Sequence, residues 1–210
     1  NFKDKYAVLK DITCSNTRIK LQQYKGSDQM NIQFLLDYFD QPKSDEVFTV
    51  KIEKVGLDHT YFSYHNWNKA RIAYGIDYNH IELRDFKGDI LEFRNRDKIS
   101  SVDLKDVAFN ESSGFTLKDL DCHFVLNPKK IKIEGLHLKT DRSEIITNGI
   151  AFNYHDMDDL NDFVNAVFIE GTVKESNISI KDISYFVPSL KDMERAVDFS
   201  GEVNGTINNL

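Results

Sequence analysis

VDLKDVAFNESSGFTLKDLDCHFVLNPKKIKIEGLHLKT, residues 102–140, carries one short pattern three times. Two apolar residues stand two apart, a mostly polar pair follows, and two more apolar residues resume the spacing. The copies are VDLKDVAF at 102–109, FTLKDLDC at 115–122 and IKIEGLHL at 131–138. In a strand, residues two apart face the same side. Val102 and Leu104 are even-numbered, yet Val107 and Phe109 are odd. Phe115 and Leu117 give way to Leu120, Cys122 and Phe124, and Ile131 and Ile133 to Leu136 and Leu138. A slip of one residue would turn every apolar side chain over. One inserted residue, a β-bulge, returns them to the same face and bends the strand. The polar pair falls at that bend, where Asp and Gly tolerate unusual backbone angles. The alternative is a tight turn between two short strands, but a two-residue hairpin favours Asn-Gly, Asp-Gly or Gly-Xaa. The bulged, curved strand is therefore preferred.

Looser copies lie on both sides: AVLKDITC at 7–14, VKIEKVGL at 50–57, IELRDF at 81–86 and ISIKDISY at 178–185. Their irregular spacing excludes a solenoid of fixed period. Aromatic content (15 Phe and 9 Tyr against 3 Met and 3 Pro) suits pleated surfaces better than helix bundles. The expected fold is all-β dominant: an elongated, curved antiparallel sheet with two or three short helices. Helical spacing is confined to three places. Ser27 precedes DQMNIQFLLDYF, with Met30, Phe34, Leu35 and Tyr38 in phase. DMDDLNDFVNAV at 156–167 places acids in its first turn, and a third short helix is expected after Pro188.

Several function classes are disfavoured. The 27 Lys and Arg are scattered among 34 Asp and Glu, giving a net charge of −7, which disfavours nucleic acid. Lys129, Lys130 and Lys132 are the densest basic group, and a turn entering a strand accounts for them. The six histidines (His59, His65, His80, His123, His137 and His155) form no HxxxH or HExxH pair, so no metal site is expected from spacing. His123 and His137 alternate against apolar neighbours and are expected to face solvent. Asp156, Asp158, Asp159 and Asp162 lack the EF-hand register. Phosphate-cradling glycine loops are absent, NESSGF is no nucleophile elbow, and neither an enzyme nor a cofactor is expected. Cys14 and Cys122 are compatible with one disulfide, although free thiols are preferred, Cys122 reading as a buried small hydrophobe. No stretch has the roughly 18 apolar residues of a membrane span. The chain opens and closes in mid-pattern, so residues 1–210 are expected to be one β-rich segment of a larger protein, with any anchor or export signal outside it.

One apolar face per strand, with few helices to cover it, leaves two outcomes. The sheet closes on itself as a sandwich or barrel, or it curls into a trough whose wall accepts apolar ligand. The candidate lining residues are Leu83, Val102, Leu104, Phe115, Leu117, Leu120, Phe124, Ile131, Ile133, Leu136 and Leu138. Each is equally explained as ordinary core.

The segments NIQFLLDYF, SGFTLKDLDCHF, IEGLHLKTDRSEI, SNISIKDISYFVPSL and FSGEVNGTINNL, in that order, resemble the TamB translocation and assembly module family of the AsmA-like group. The resemblance spans nearly the whole chain but rests on no invariant chemistry. It implies a periplasmic segment of an inner-membrane-anchored bridge with a hydrophobic β-taco groove. It also implies phospholipid acyl chains and adjoining segments of the parent chain as partners, with phospholipid moving towards the outer membrane. The alternative it implies is a scaffold that templates strands of outer-membrane proteins with a barrel partner of the TamA type. A glycan-binding or glycan-degrading β-domain, built on Trp67 with Tyr61, Tyr64 and Tyr74, is a weaker third expectation.

Overall fold

A computed structural model describes residues 6–34, 37, 49–96 and 98–209. Among the described residues, eleven strands form one sheet. Three short strands, β1 (Tyr6–Leu9), β2 (Ile12–Ser15) and β3 (Arg18–Gln23), lie end to end along β4 (Thr49–Asn66). The rest is a meander of neighbours: β5 (His80–Arg96), β6 (Ile99–Glu111), β7 (Thr116–Asn127), β8 (Lys130–Thr140), β9 (Glu144–Asn153), β10 (Phe168–Ser179) and β11 (Ala196–Gly205). The sheet is curved and does not close on itself.

The expected antiparallel sheet needs one correction. β4 to β11 are antiparallel throughout, but β1, β2 and β3 all pair with β4 in parallel, so the sheet is mixed. One constant offset runs from Tyr6 opposite Thr49 to Gln23 opposite Asn66. Parallel neighbours need a crossover of a dozen or more residues, and the long connection from Gln23 to Thr49 supplies it. Apolar alternation carries no sign of strand direction, so the sequence pattern could not distinguish the two.

The bends are where the polar pairs are, with exceptions. Asp11, Asp85, Asp106 and Gly135, each the second residue of a pair, have φ of 43°, 51°, 52° and 61°. The β5–β6 register shifts between Arg84 and Lys87 and again before Asp89, bracketing Asp85 on one strand and Asp106 on the other. The β7–β8 register shifts between Leu117 and Asp119, at the Lys-Asp of FTLKDLDC. Two copies behave differently. In VKIEKVGL the pairing with β5 runs without a shift from Ile52 to Leu57, and the bulge falls later, where His59 has φ 45°. ISIKDISY leaves the sheet: Ile180–Ser184 is a short helix. Its partners explain this, because Tyr185 packs on Val107, Phe115 and Leu117 instead of continuing a strand.

The helical expectations hold only in part: Met30, expected on a helix, forms an isolated bridge with Gln23. Ser27 Oγ accepts a hydrogen bond from the Gln29 amide at 3.0 Å, while Leu35 and Tyr38 lie outside the residues whose side chains are described. Met157–Asp162 is a 3₁₀ turn closed by a capping box between Asp156 and Asp159, followed by the helix Phe163–Ala166. Pro188–Leu190 is a single 3₁₀ turn.

Where bulges meet, space is tight. Gly88 has φ 126°, and a Cβ there would lie 2.7 Å from Val107 Cα and 2.9 Å from the Asp106 carbonyl oxygen. Those are backbone atoms of the facing bulge and cannot swing away. Gly88→Ala is therefore expected to destabilise the chain by about 2–3 kcal/mol, from the positive φ and the forced separation of β5 and β6. Urea unfolding measures this, and a change below about 0.5 kcal/mol would show that the two bulges do not seat on one another.

Candidate functional site: the apolar face of the sheet

Directly paired residues of neighbouring strands share a face. Ile12, Val55, Ile90, Leu104 and Cys122 form one unbroken ladder across β2, β4, β5, β6 and β7. Val102, Phe124, Ile133 and Ile150 form a second across β6 to β9, and Leu126, Ile131, Phe152 and Ile169 a third across β7 to β10. Cys122, Phe124 and Leu126 are spaced two apart on regular strand, so the three ladders lie on one face.

The candidate lining residues divide into two groups on that face. Phe115 and Leu117 belong to a buried cluster with Val107 and Tyr185, and Leu104, Leu120 and Leu138 pack against it. Leu136 is also buried. Thus the residues on the two sides of the Lys118-Asp119 shift, Leu117 and Leu120, do reach the same cluster. Val102, Phe124, Ile131 and Ile133 lie outside this cluster and are half-buried. Leu83, also half-buried, pairs with Phe62 and with Glu111 at the far side of the core.

What covers the first group is a small polar clasp. Tyr74 stacks on Tyr185 at 6.0 Å, and its hydroxyl meets Ser184 Oγ at 2.6 Å. Phe186 sets its edge against Phe115 at 5.3 Å, and the Ile76 amide donates to the Tyr185 carbonyl at 2.8 Å. The helix Ile180–Ser184 is held by its buried Asp182, whose carboxylate accepts from Thr140 Oγ1 at 2.5 Å and Ser143 Oγ at 2.6 Å. A buried carboxylate needs such partners. Asp182 and Tyr185 fall in a copy of the strand motif, which carries no signal of helix. At the opposite margin Phe163 packs on Phe152 at 5.5 Å. The second ladder, Val102–Phe124–Ile133–Ile150, lies between these two covers.

The reverse face is charged. Lys54 meets Asp89 at 2.9 Å, His123 meets Asp103 at 2.6 Å, Lys132 meets Glu134 at 2.7 Å and Lys130 meets Glu170 at 2.9 Å. His123 and His137 do alternate against the apolar ladders and are half-exposed, as expected. The bond from His137, and then Lys139, hold Glu144 below the usual carboxylate range. Such exposed pairs are screened by solvent, contribute little to stability and mainly keep this face wet. A recess of about 870 Å³ lies between β9, β10 and β11, lined by Glu144, Glu175, Asp198 and Phe199 among others; none of the candidate lining residues reaches it. The aromatic residues weighed for glycan binding disperse: Trp67 stacks on His65 at 5.0 Å, whereas Tyr74 belongs to the clasp.

Comparisons with protein-family models, curated proteins and solved structures find no match. No helix among the described residues is long and apolar enough to cross a membrane.

Both cysteines are free thiols. Cys122 sits on the apolar ladder, where burial, with Asp121 and Asp103 adding to it, pushes its pKa up to about 11. Since the thiolate is the reactive form, iodoacetamide at pH 8 is expected to modify Cys14 about tenfold or more faster than Cys122 in the folded chain. Peptide mass spectrometry resolves the two sites. Equal native rates would mean that Cys122 is not sheltered on the apolar face.

Proposed function

We propose that this chain is a segment of a bridge-like lipid carrier, in which acyl chains lie along the apolar face of the sheet. It works in the periplasm as part of an inner-membrane-anchored protein, and phospholipid moves along it towards the outer membrane. The observation that carries this reading is the half-buried ladder Val102–Phe124–Ile133–Ile150, a strip of apolar side chains between two covered margins and backed by a charged face. Apolar contact holds an acyl chain at roughly 25 cal/mol per Å² buried and asks for no directional group. A strip of similar side chains then lets the chain slide with little change in energy, while headgroups stay in water at the rim. The bulges serve this reading too, since they bend the sheet without turning polar side chains into the strip. The resemblance of the residue segments to the TamB family supplies the compartment and the direction.

A second reading has its own observation. β11 is the last strand of the path and is exposed along most of its length. A sheet edge can template another strand, as a scaffold for outer-membrane protein assembly would require.

The lipid reading is tested with a photo-crosslinking residue placed at Phe124 or Ile133, with His123 on the charged face as control, in a bacterial envelope carrying labelled phospholipid. Labelling at the two apolar positions is expected to exceed the control about tenfold, and Ile133→Asp is expected to abolish labelling at Phe124 while circular dichroism stays unchanged. Leu117 is unsuitable for this test, being 4 % exposed and part of the closed core. Equal labelling on both faces ends the lipid proposal. The scaffold reading predicts instead that a proline at an outward-pointing amide of β11 removes capture of an unfolded outer-membrane barrel protein and leaves lipid labelling intact. Unimpaired capture by that variant rules the edge out.

A further inference from the structure

The charged face holds an arrangement that lipid carriage does not use. Asp121 of β7 pairs directly across the ladder with His137 of β8, and Asp119 stands two residues earlier on the same side of β7. One potential ligand atom from each of Asp119, Asp121 and His137 lies within 4.8 Å of the others. His137 Nδ1 is 3.3 Å from Asp119 Oδ2, while its Nε2 is 2.9 Å from Glu144 Oε1. If Nε2–H donates to Glu144, Nδ1 turns a lone pair towards the two carboxylates. That is the tautomer a metal-binding imidazole needs, with a carboxylate behind it as the orienting group. Glu144 is itself steadied by Lys139 Nζ at 3.4 Å. Asp121 is also held in place: its Oδ1 accepts the Asp106 amide of the neighbouring bulge at 2.7 Å, leaving the other oxygen available.

We infer that Asp119, Asp121 and His137 form a binding site for a divalent first-row transition-metal ion of the zinc type. The reasons are chemical. A proton on His137 Nδ1 can also bridge to Asp119, so a metal ion and that proton compete for the same lone pair, and the ion gains from drawing on Asp121 as well. Metal–ligand bonds of about 2.0–2.2 Å in a tetrahedron set neighbouring ligand atoms about 3.4 Å apart. The Nδ1–Oδ2 separation already matches this, and rotation of a half-exposed carboxylate closes the rest. One nitrogen with two oxygens favours zinc-like ions over the all-oxygen shells of calcium and magnesium. The three side chains rise from adjacent inner strands, so the backbone fixes their spacing. The register shift between Asp121 and His123 places the site on the line of bulges. A bound ion would therefore rivet β7 to β8 at the bend, on the side away from the apolar strip.

The test is calorimetric titration of the full untagged chain with zinc chloride, repeated with manganese chloride, alongside thermal melts. One equivalent of zinc is expected to bind and to raise the melting temperature. His137→Gln and Asp121→Asn are expected to weaken binding by about a hundredfold, and Glu144→Gln by about tenfold. His123→Gln, which breaks the similar pair with Asp103 on the same face, is expected to bind as the parent does. Circular dichroism without metal checks that each variant is folded, and Asp119→Asn replaces any that is not. Absence of saturable zinc or manganese binding overturns the proposal. So does binding that survives His137→Gln in a folded chain, or that falls equally in His123→Gln.

Discussion

A sheet with one apolar face can bend sharply only if its side chains do not turn over at the bend. Everything else in this chain depends on how that is met. Extra residues held at positive φ, Asp85 and Glu92 in β5, Asp106 in β6 and Gly135 in β8, shift the alternation by one and bring the next apolar residues back to the same side. A non-glycine residue in that conformation costs about 1–2 kcal/mol, so each bulge has to be stabilised by neighbours. The Asp106 amide donates to Asp121, and His59 and Asp85, both at positive φ on adjacent strands, meet at 2.9 Å. Bulges on adjacent strands therefore support one another, and the bend becomes a property of the sheet and not of any one strand.

The two faces follow from this. Keeping apolar side chains together on one side leaves the other side to Lys, Asp, Glu and His, which pair across strands and hold water against that surface. On the apolar side, area is covered unevenly. Tyr185, Tyr74 and the Asp182 contacts seal the end around Val107, Phe115 and Leu117, giving the sheet a true core. Beyond it the ladder through Phe124 and Ile133 keeps partial contact with solvent. The sealed end gives the fold an anchor, and the half-covered strip is what the proposed lipid function uses.

The polar pair was a good guide where its second residue had to adopt positive φ, as at Asp85, Asp106 and Gly135, because Asp and Gly accept that geometry better than most residues. It misled at 50–57, where β4 stays in register and the extra residue comes at His59, which has no special place in the pattern. At 178–185 the same letters fold as helix, since Ile180–Ser184 is pinned by Asp182 and Tyr185 to other strands. Local sequence cannot weigh contacts that distant. The histidine–aspartate grouping on β7 and β8 escaped the same way: Asp121 and His137 are neighbours only across the ladder, so no spacing along the chain announces them.

The order of apolar and polar residues by itself determined the strand-rich class, the single apolar face, most of the bends and the side on which His123 and His137 lie. These follow from a period of two and from which residues tolerate positive φ, both local properties of the chain. Tertiary structure alone decided that β1, β2 and β3 run parallel to β4, that one end of the apolar face is sealed while the middle is half-covered, and which carboxylates meet which histidines. Those outcomes depend on the register and direction of distant strands, and alternation is the same for either direction.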